Sequence, residues 1–132
     1  MDSKIEDFFD KESSSYKVNV LKGSVGNEYL SDVEVNFFLR ILPKLRKKNI
    51  SLDIGVGNGR FSKILANHFN KVISMDISTE MIKQTKKYMN KKEIEKVKFI
   101  HGNFESYKFP KDDLYDLITS FRVFKYFNNV NM

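Results

Sequence analysis

The run LDIGVGNGRFSKIL, residues 52–65, constrains the fold more than any other part of the chain. A short apolar segment from Ile50 to Ile54 reads as a strand and enters glycines at positions 55, 57 and 59. It leaves as a helical stripe of Phe61, Ile64, Leu65 and Phe69. Alternate glycines continue neither a strand nor a helix, so the backbone turns there, and the apolar period changes across the turn. Gly55 permits a tight turn, Gly57 a close approach of a ligand to the backbone, and Gly59 close packing of helix on strand. Asn58 lies within the same loop. The first amides of the following helix then face the crevice beyond the strand.

The same logic repeats downstream. Val72 to Met75 forms a second strand that closes on Asp76. Ser78 or Thr79 caps a helix carrying Met81, Ile82, Thr85, Tyr88 and Met89. Val97 to Ile100 is a third strand, Leu114 to Ser120 a fourth, and Phe121 to Phe127 begins another helix. Strands separated by helices require crossovers and pair in parallel. Right-handed crossovers place helices on both faces of the sheet. The predicted fold class is α/β: a Rossmann-like, doubly wound, mainly parallel sheet.

Upstream, Ser31-Asp32-Val33-Glu34 has the pattern of a capping box. Val33, Phe37, Ile41 and Leu45 follow at helical spacing, with Phe38 and Leu42 beside them, and Pro43 ends or kinks that helix. Residues 1–30 read as an N-terminal cap segment and residues 31–132 as the main domain. In the cap, Ile5, Phe8 and Phe9 form one face of a short helix, Ser13 to Ser15 break it, and Gly23 and Gly26 mark a loop.

Length, 132 residues, gives a single domain, and 12 Phe with 6 Tyr supply a core. No apolar run approaches the roughly 18 residues of a membrane helix. The start, MDSKIEDFFDKESSS, has no apolar signal region. Cysteine is absent, which excludes disulfides and thiolate metal sites and fits a reducing cytoplasm. No metal set is visible. The net charge of +6 brings nucleic acid into consideration. The densest basic stretch, Lys83 to Lys98, includes Glu93 and Glu95 and reads first as a solvated helix face and loop.

Two acids flank the glycines. Asp53, two residues before Gly55, can face a cationic group in the crevice or order the loop amides. Asp76 stands where open α/β folds hydrogen-bond both ribose hydroxyls. With Ser78 and Thr79 present for capping, Asp76 is released for that task.

The segments LDIGVGNGRFSKIL, ISMDIS, FIHGNFESYKF and YDLITSFRVF, in this order, resemble the class I S-adenosylmethionine-dependent methyltransferases over roughly residues 30–130. The resemblance implies that Asp53 lies near the methionine amino end of the cofactor and that Gly55, Gly57, Asn58 and Gly59 wrap it. It implies that Asp76 binds the ribose and that Ile77 packs on adenine. Asn103 replaces the acid often found after the third strand and accepts from the adenine amino group through its amide oxygen. The Phe104 amide donates to the ring, and Ser120 borders the methionine part. A tyrosine in the N-terminal cap, Tyr16, is a candidate for lining the pocket. The rival ligand, a dinucleotide, expects glycine at position 60, where this chain has Arg60.

No catalytic residue is singled out. Methyl transfer from a sulfonium rests on in-line positioning. His68 and His101 read as structural. Family sheets have seven strands and this chain offers four, so the resemblance implies a sheet incomplete after strand four. Its open edge is exposed to a second copy or a partner. The expected activity is methyl transfer to an unidentified acceptor, a small molecule in preference to nucleic acid, because Ser120-Phe121-Arg122-Val123 has no Asn-Pro-Pro-Tyr-type run. The alternatives are an inactive cofactor-binding fragment and an NAD(P)-dependent reductase.

Overall fold

A computed structural model describes residues 3–22 and 25–123, with the side chains of 12, 14–22 and 25–30 excepted. Two helices, α1 (Ser3–Lys22) and α2 (Val25–Ile41), precede the sheet. Then follow β1 (Ile50–Ile54), α3 (Arg60–His68), β2 (Lys71–Asp76), α4 (Thr79–Tyr88), α5 (Lys91–Glu95), β3 (Val97–His101) and β4 (Leu117–Thr119). The strands lie in the order β3-β2-β1-β4, and every pairing is parallel. The α/β, Rossmann-like class expected from the alternation is the class observed, and β1, the strand that feeds the glycine loop, lies in the interior of the sheet.

Side-chain alternation divides the core. On one face Val72, Phe38, Leu42, Phe61, Leu65, Ala66, Phe69 and Met89 pack together, with Val97, Phe99 and Phe121 against them. This face receives α2 and α3. On the other, Leu52, Ile54 and Ile73 are covered by Phe104, Phe109, Tyr115 and Val123. The first three of these covering residues come from the β3–β4 connection, residues 102–116, which contains no helix. Its Gly102, Asn103 and Pro110 favour turns, and it has no helical period.

Several local expectations are corrected. α1 runs through Ser13 to Ser15 instead of breaking there; the Ser13 hydroxyl donates to the Asp10 carbonyl at 2.9 Å, a back-bond that keeps serine within a helix. α2 begins at Val25, so Gly26 is helical and Ser31 is mid-helix and caps nothing. The stripe of Val33, Phe37, Ile41 and Leu45 splits: Val33 and Phe37 are exposed, Phe37 at 61%, whereas Ile41 and Leu45 pack against the core in which Phe38 and Leu42 are buried. Pro43 acts as expected: α2 ends at Ile41 and a single 3-10 turn, Leu42–Lys44, carries the proline near its start. Within Lys83 to Lys98, α5 is set off by a capping box in which Asn90 and Glu93 satisfy each other's backbone amides. β4 is shorter than expected, and Leu114 stands 86% exposed outside it. Residues 121–123 are not helical; the rest of the helix expected to Phe127 lies outside the described residues.

Candidate cofactor site

The site is built where β1 and β2 end side by side. The ladder pairs Asp53 with Ser74 and Ile54 with Met75, and Gly55 extends it by donating to the Met75 carbonyl at 2.8 Å. Asp53 and Asp76 therefore close neighbouring strands on either side of the glycine loop.

All three glycines have positive φ: 78° at Gly55, 53° at Gly57 and 83° at Gly59. L-residues avoid this region. A Cβ on Gly55 would lie 2.2 Å from the Val123 Cγ2, and one on Gly59 would lie 2.7 Å from the Thr85 Cγ2. Gly59 thus admits α4 to the loop, a different close approach from the helix–strand contact expected of it. The Asn58 Oδ1 accepts from the Arg60 amide at 3.3 Å and steadies the entry into α3.

Asp76 is 8% exposed. Its Oδ1 accepts from the Ser78 amide at 2.8 Å and its Oδ2 from the Gly57 amide at 3.3 Å. It ties the glycine loop to the turn that enters α4. The Ser78 hydroxyl, not Asp76, caps α4 by accepting from Met81 at 3.1 Å. Burial pushes the Asp76 carboxyl up to about 6, against the backbone amides that favour its charge.

Asp53 is buried. Its Oδ2 accepts from the Ser62 hydroxyl at 2.5 Å and its Oδ1 from the Thr119 hydroxyl at 2.9 Å. Ser62 accepts in turn from Ser74 at 3.0 Å. Burial also pushes the Asp53 carboxyl up to about 6, opposed by its two hydroxyl partners. Ser62 and Thr119 went unrecognised in the sequence because they meet Asp53 only through the fold.

The remaining expected residues surround this pair. Ile77 follows Asp76, and its carbonyl accepts from the His101 Nε2 at 2.8 Å. Asn103 follows β3, and its side-chain oxygen accepts from the Glu105 amide at 2.9 Å. The Phe104 ring packs on the Leu52, Ile54 and Ile73 cluster. Ser120 follows β4 with its hydroxyl buried and without a hydrogen-bond partner among the described residues. The Tyr16 side chain lies outside the described ones.

α1 adds residues that no motif announced. Phe9 packs on Val56, Met81 and Ile82, beside the loop. Asp10 accepts from the Ser78 hydroxyl and from the Glu80 amide. Glu6 lies 3.0 Å from the His101 Nε2.

The donors and acceptors present fit a hydroxylated, cationic ligand. Two buried carboxylates close the strand ends, and three left-handed glycines carry the loop between them. They do not fit a pyrophosphate, which the two carboxylates at the strand ends would repel from the loop. Among the described residues no group of three or more metal-ligating side chains occurs.

The methyltransferase domain family matches residues 52–132. An uncharacterized methyltransferase, YcgJ of Bacillus subtilis (strain 168), is 32% identical over 85 residues, 64% of this chain and 33% of YcgJ. The chain thus spans about a third of the length of this curated relative. The crystal structure of YcgJ superposes with a TM-score of 0.58 at 28% identity, over 68% of this chain and 39% of that one. A dimethyladenosine transferase from Plasmodium falciparum matches at 28% identity with a TM-score of 0.51, over 64% of this chain and 30% of that one. A methyltransferase of Haloferax volcanii solved with its Trm112 activator is alike in fold, with a TM-score of 0.64 at 20% identity, over 92% of this chain and 50% of that one. Glycine loop, flanking acids, strand order and these matches together assign the chain to the methyltransferase domain family, the class I S-adenosylmethionine-dependent methyltransferases.

Proposed function

We infer that this chain forms the cofactor-binding part of an S-adenosylmethionine-dependent methyltransferase. The observation that carries the reading is the placement of three left-handed glycines between two buried carboxylates at the ends of adjacent parallel strands. Asp76 accepts from the ribose hydroxyls while its present bonds hold the loop. Asp53 lends negative charge to the methionine amino end through the loop floor. Gly55, Gly57, Asn58 and Gly59 wrap the cofactor, Ile77, Asn103 and Phe104 border the adenine, and Ser120 offers its unpaired hydroxyl beside the methionine part. The bound cofactor supplies a sulfonium methyl group, and the chain's part is to hold donor and acceptor in line and keep water away.

Residues 1–30 act as a cap, supported by the contacts of Glu6, Phe9 and Asp10 at the crevice. The acceptor is a small molecule. A nucleic-acid acceptor is the second reading, favoured by the +6 charge and by the likeness to a dimethyladenosine transferase. The β4 edge, paired only with β1 among the described residues, is completed by a second copy or a partner. The chain works in the cytoplasm, a reading supported by its lack of cysteine; no described helix is long and apolar enough to cross a membrane.

Calorimetric titration with S-adenosylhomocysteine, with Asp76→Ala as control, tests the cofactor site. Binding by the wild type that the variant loses is the expected result. A folded wild type that does not bind, or that prefers NADH, overturns the reading.

A further inference from the structure

Glu34 of α2 draws together two arginines that follow different strands. Arg122 grips it side-on, Nε to Oε1 at 2.9 Å and Nη2 to Oε2 at 3.1 Å. Arg60 reaches the same Oε2 at 2.7 Å and also donates to Ser31. Two guanidinium groups thus face one carboxylate, and among the described residues no second acid meets either of them. A purely structural tie needs no surplus cation. The site has an aromatic floor: Phe61 stacks on Phe121 at 3.6 Å and 4°, Phe38 meets both rings edge-on, and the Arg60 guanidinium sits 4.6 Å from the Phe61 centroid. Charge interactions strengthen above such a floor.

Two further observations bear on what the site is for. Arg122 has φ 62°, the only non-glycine among the described residues with positive φ. That backbone is unfavourable for arginine and is retained where it aims the side chain at Glu34. Arg122 also lies between Ser120, with its orphaned buried hydroxyl, and Val123, which presses on Gly55. The arginine pair follows the ends of β1 and β4, and its members keep 16% and 28% side-chain exposure.

The geometry points to a binding site for an anionic group of the methyl acceptor, a carboxylate or a phosphate, formed by Arg60 and Arg122 and held by Glu34 until the acceptor arrives. The proposal rests on the methyltransferase reading. A guanidinium fork binds both anions in the side-on manner in which Arg122 now binds Glu34. Glu34 is a tethered competitor that withdraws when an acidic acceptor takes its place.

The test follows the guanidinium and amide resonances of the 132-residue chain by NMR during titration with inorganic phosphate and, separately, acetate. Glu34→Gln keeps the size of the side chain, removes the competing charge and replaces one acceptor oxygen with a donor. It is expected to lower the midpoint for at least one probe by about tenfold, a common size for loss of a close charge pair. The probe with the larger gain identifies the acceptor's anion. In the Glu34→Gln background, Arg122→Lys, and Arg60→Lys as a second variant, are expected to reverse the gain. An unchanged midpoint in folded Glu34→Gln, or a gain that both lysine variants retain, overturns the proposal and leaves a structural tie. S-adenosylhomocysteine titration of the same samples separates the two readings. Cofactor binding without the anion effect sinks only the anion site. The anion effect without cofactor binding removes the acceptor and sinks the proposal with the methyltransferase reading.

Discussion

The Nε2 of His101 donates to two acceptors far apart in sequence, the Ile77 carbonyl at 2.8 Å and the Glu6 carboxylate at 3.0 Å. One bond lies at the sheet end where the proposed adenine position falls; the other fastens α1 across it. The pair is half-exposed, so it adds little to global stability. Its expected influence is on passage. Glu6→Gln and His101→Ala should each speed dissociation of S-adenosylhomocysteine several-fold, measured by stopped-flow displacement, with the unfolding midpoint nearly unchanged. Equal off-rates in wild type and variants would show that α1 does not gate the crevice.

The two buried acids set opposite pH trends for folding and binding. Both carboxyls are raised from 3.8 to about 6, so between these values the folded chain keeps protons that the unfolded chain has released. Stability of the unliganded chain therefore falls as pH rises from about 4 to about 6, by about 3 kcal/mol per group at most. In the proposed cofactor site binding needs the charged carboxylates, so it should gain over the same interval. Urea unfolding and S-adenosylhomocysteine titration at pH 5 and pH 7.5 should move in opposite directions.

Asp53→Asn isolates one of these charges. The Thr119 hydroxyl can turn its donation to the Leu52 carbonyl, already 3.3 Å away, and accept from the new amide. Ser62 keeps its bond to the remaining oxygen. Removing a buried charge while every polar atom stays paired should raise stability at pH 7.5 by about 1–3 kcal/mol. The acid-side trend should shrink. A destabilised variant in urea unfolding would mean that the charged form is the favoured one.

Gly55→Ala meets two obstacles that can be separated, the positive φ and the Val123 methyl at 2.2 Å. It should cost at least about 2 kcal/mol. Adding Val123→Ala should recover the steric share and leave roughly the 1–2 kcal/mol of the left-handed backbone. A double-mutant cycle by urea unfolding checks this, and additive losses would show that the two residues do not press on each other.

Ile118, 57% exposed on β4, sits at an edge that hydrogen-bonds on one side only among the described residues. Ile118→Lys should lower self-association in sedimentation velocity, since a charge on an edge strand disfavours pairing.

The local geometry of the candidate site was legible because its determinants lie close together in sequence. Asp53, the glycines, Asp76 and the Ser78 cap lie within runs of a few residues, and turn chemistry fixes their conformation. The errors arose where partners are distant. Ser31 and Glu34 match a capping box in spacing, yet they lie on one face of a longer helix and answer Arg60 and Arg122, 26 and 88 residues from Glu34. Ser13 to Ser15 are weak helix formers, but α1 is held by Phe9, Asp10 and Glu6 on the crevice, which local propensity does not register. The Asn90–Glu93 box was local and readable, but the surrounding lysines drew the reading towards charge.

The hydroxyls around Asp53 form a chain with a built-in direction. Ser74 donates to Ser62, Ser62 donates to one carboxylate oxygen, and Thr119 donates to the other. When the carboxyl takes up a proton, one donor must turn aside. Ser62 has no second acceptor in that chain, whereas Thr119 has the Leu52 carbonyl. The proton therefore enters at the Thr119 side, where the carboxyl O–H donates to the turned Thr119 hydroxyl, and the bond to the edge strand reverses its direction while the bond to α3 keeps its own. A single titration beneath the glycine loop is thus taken up asymmetrically, by the reversal of one hydrogen bond on the β4 side.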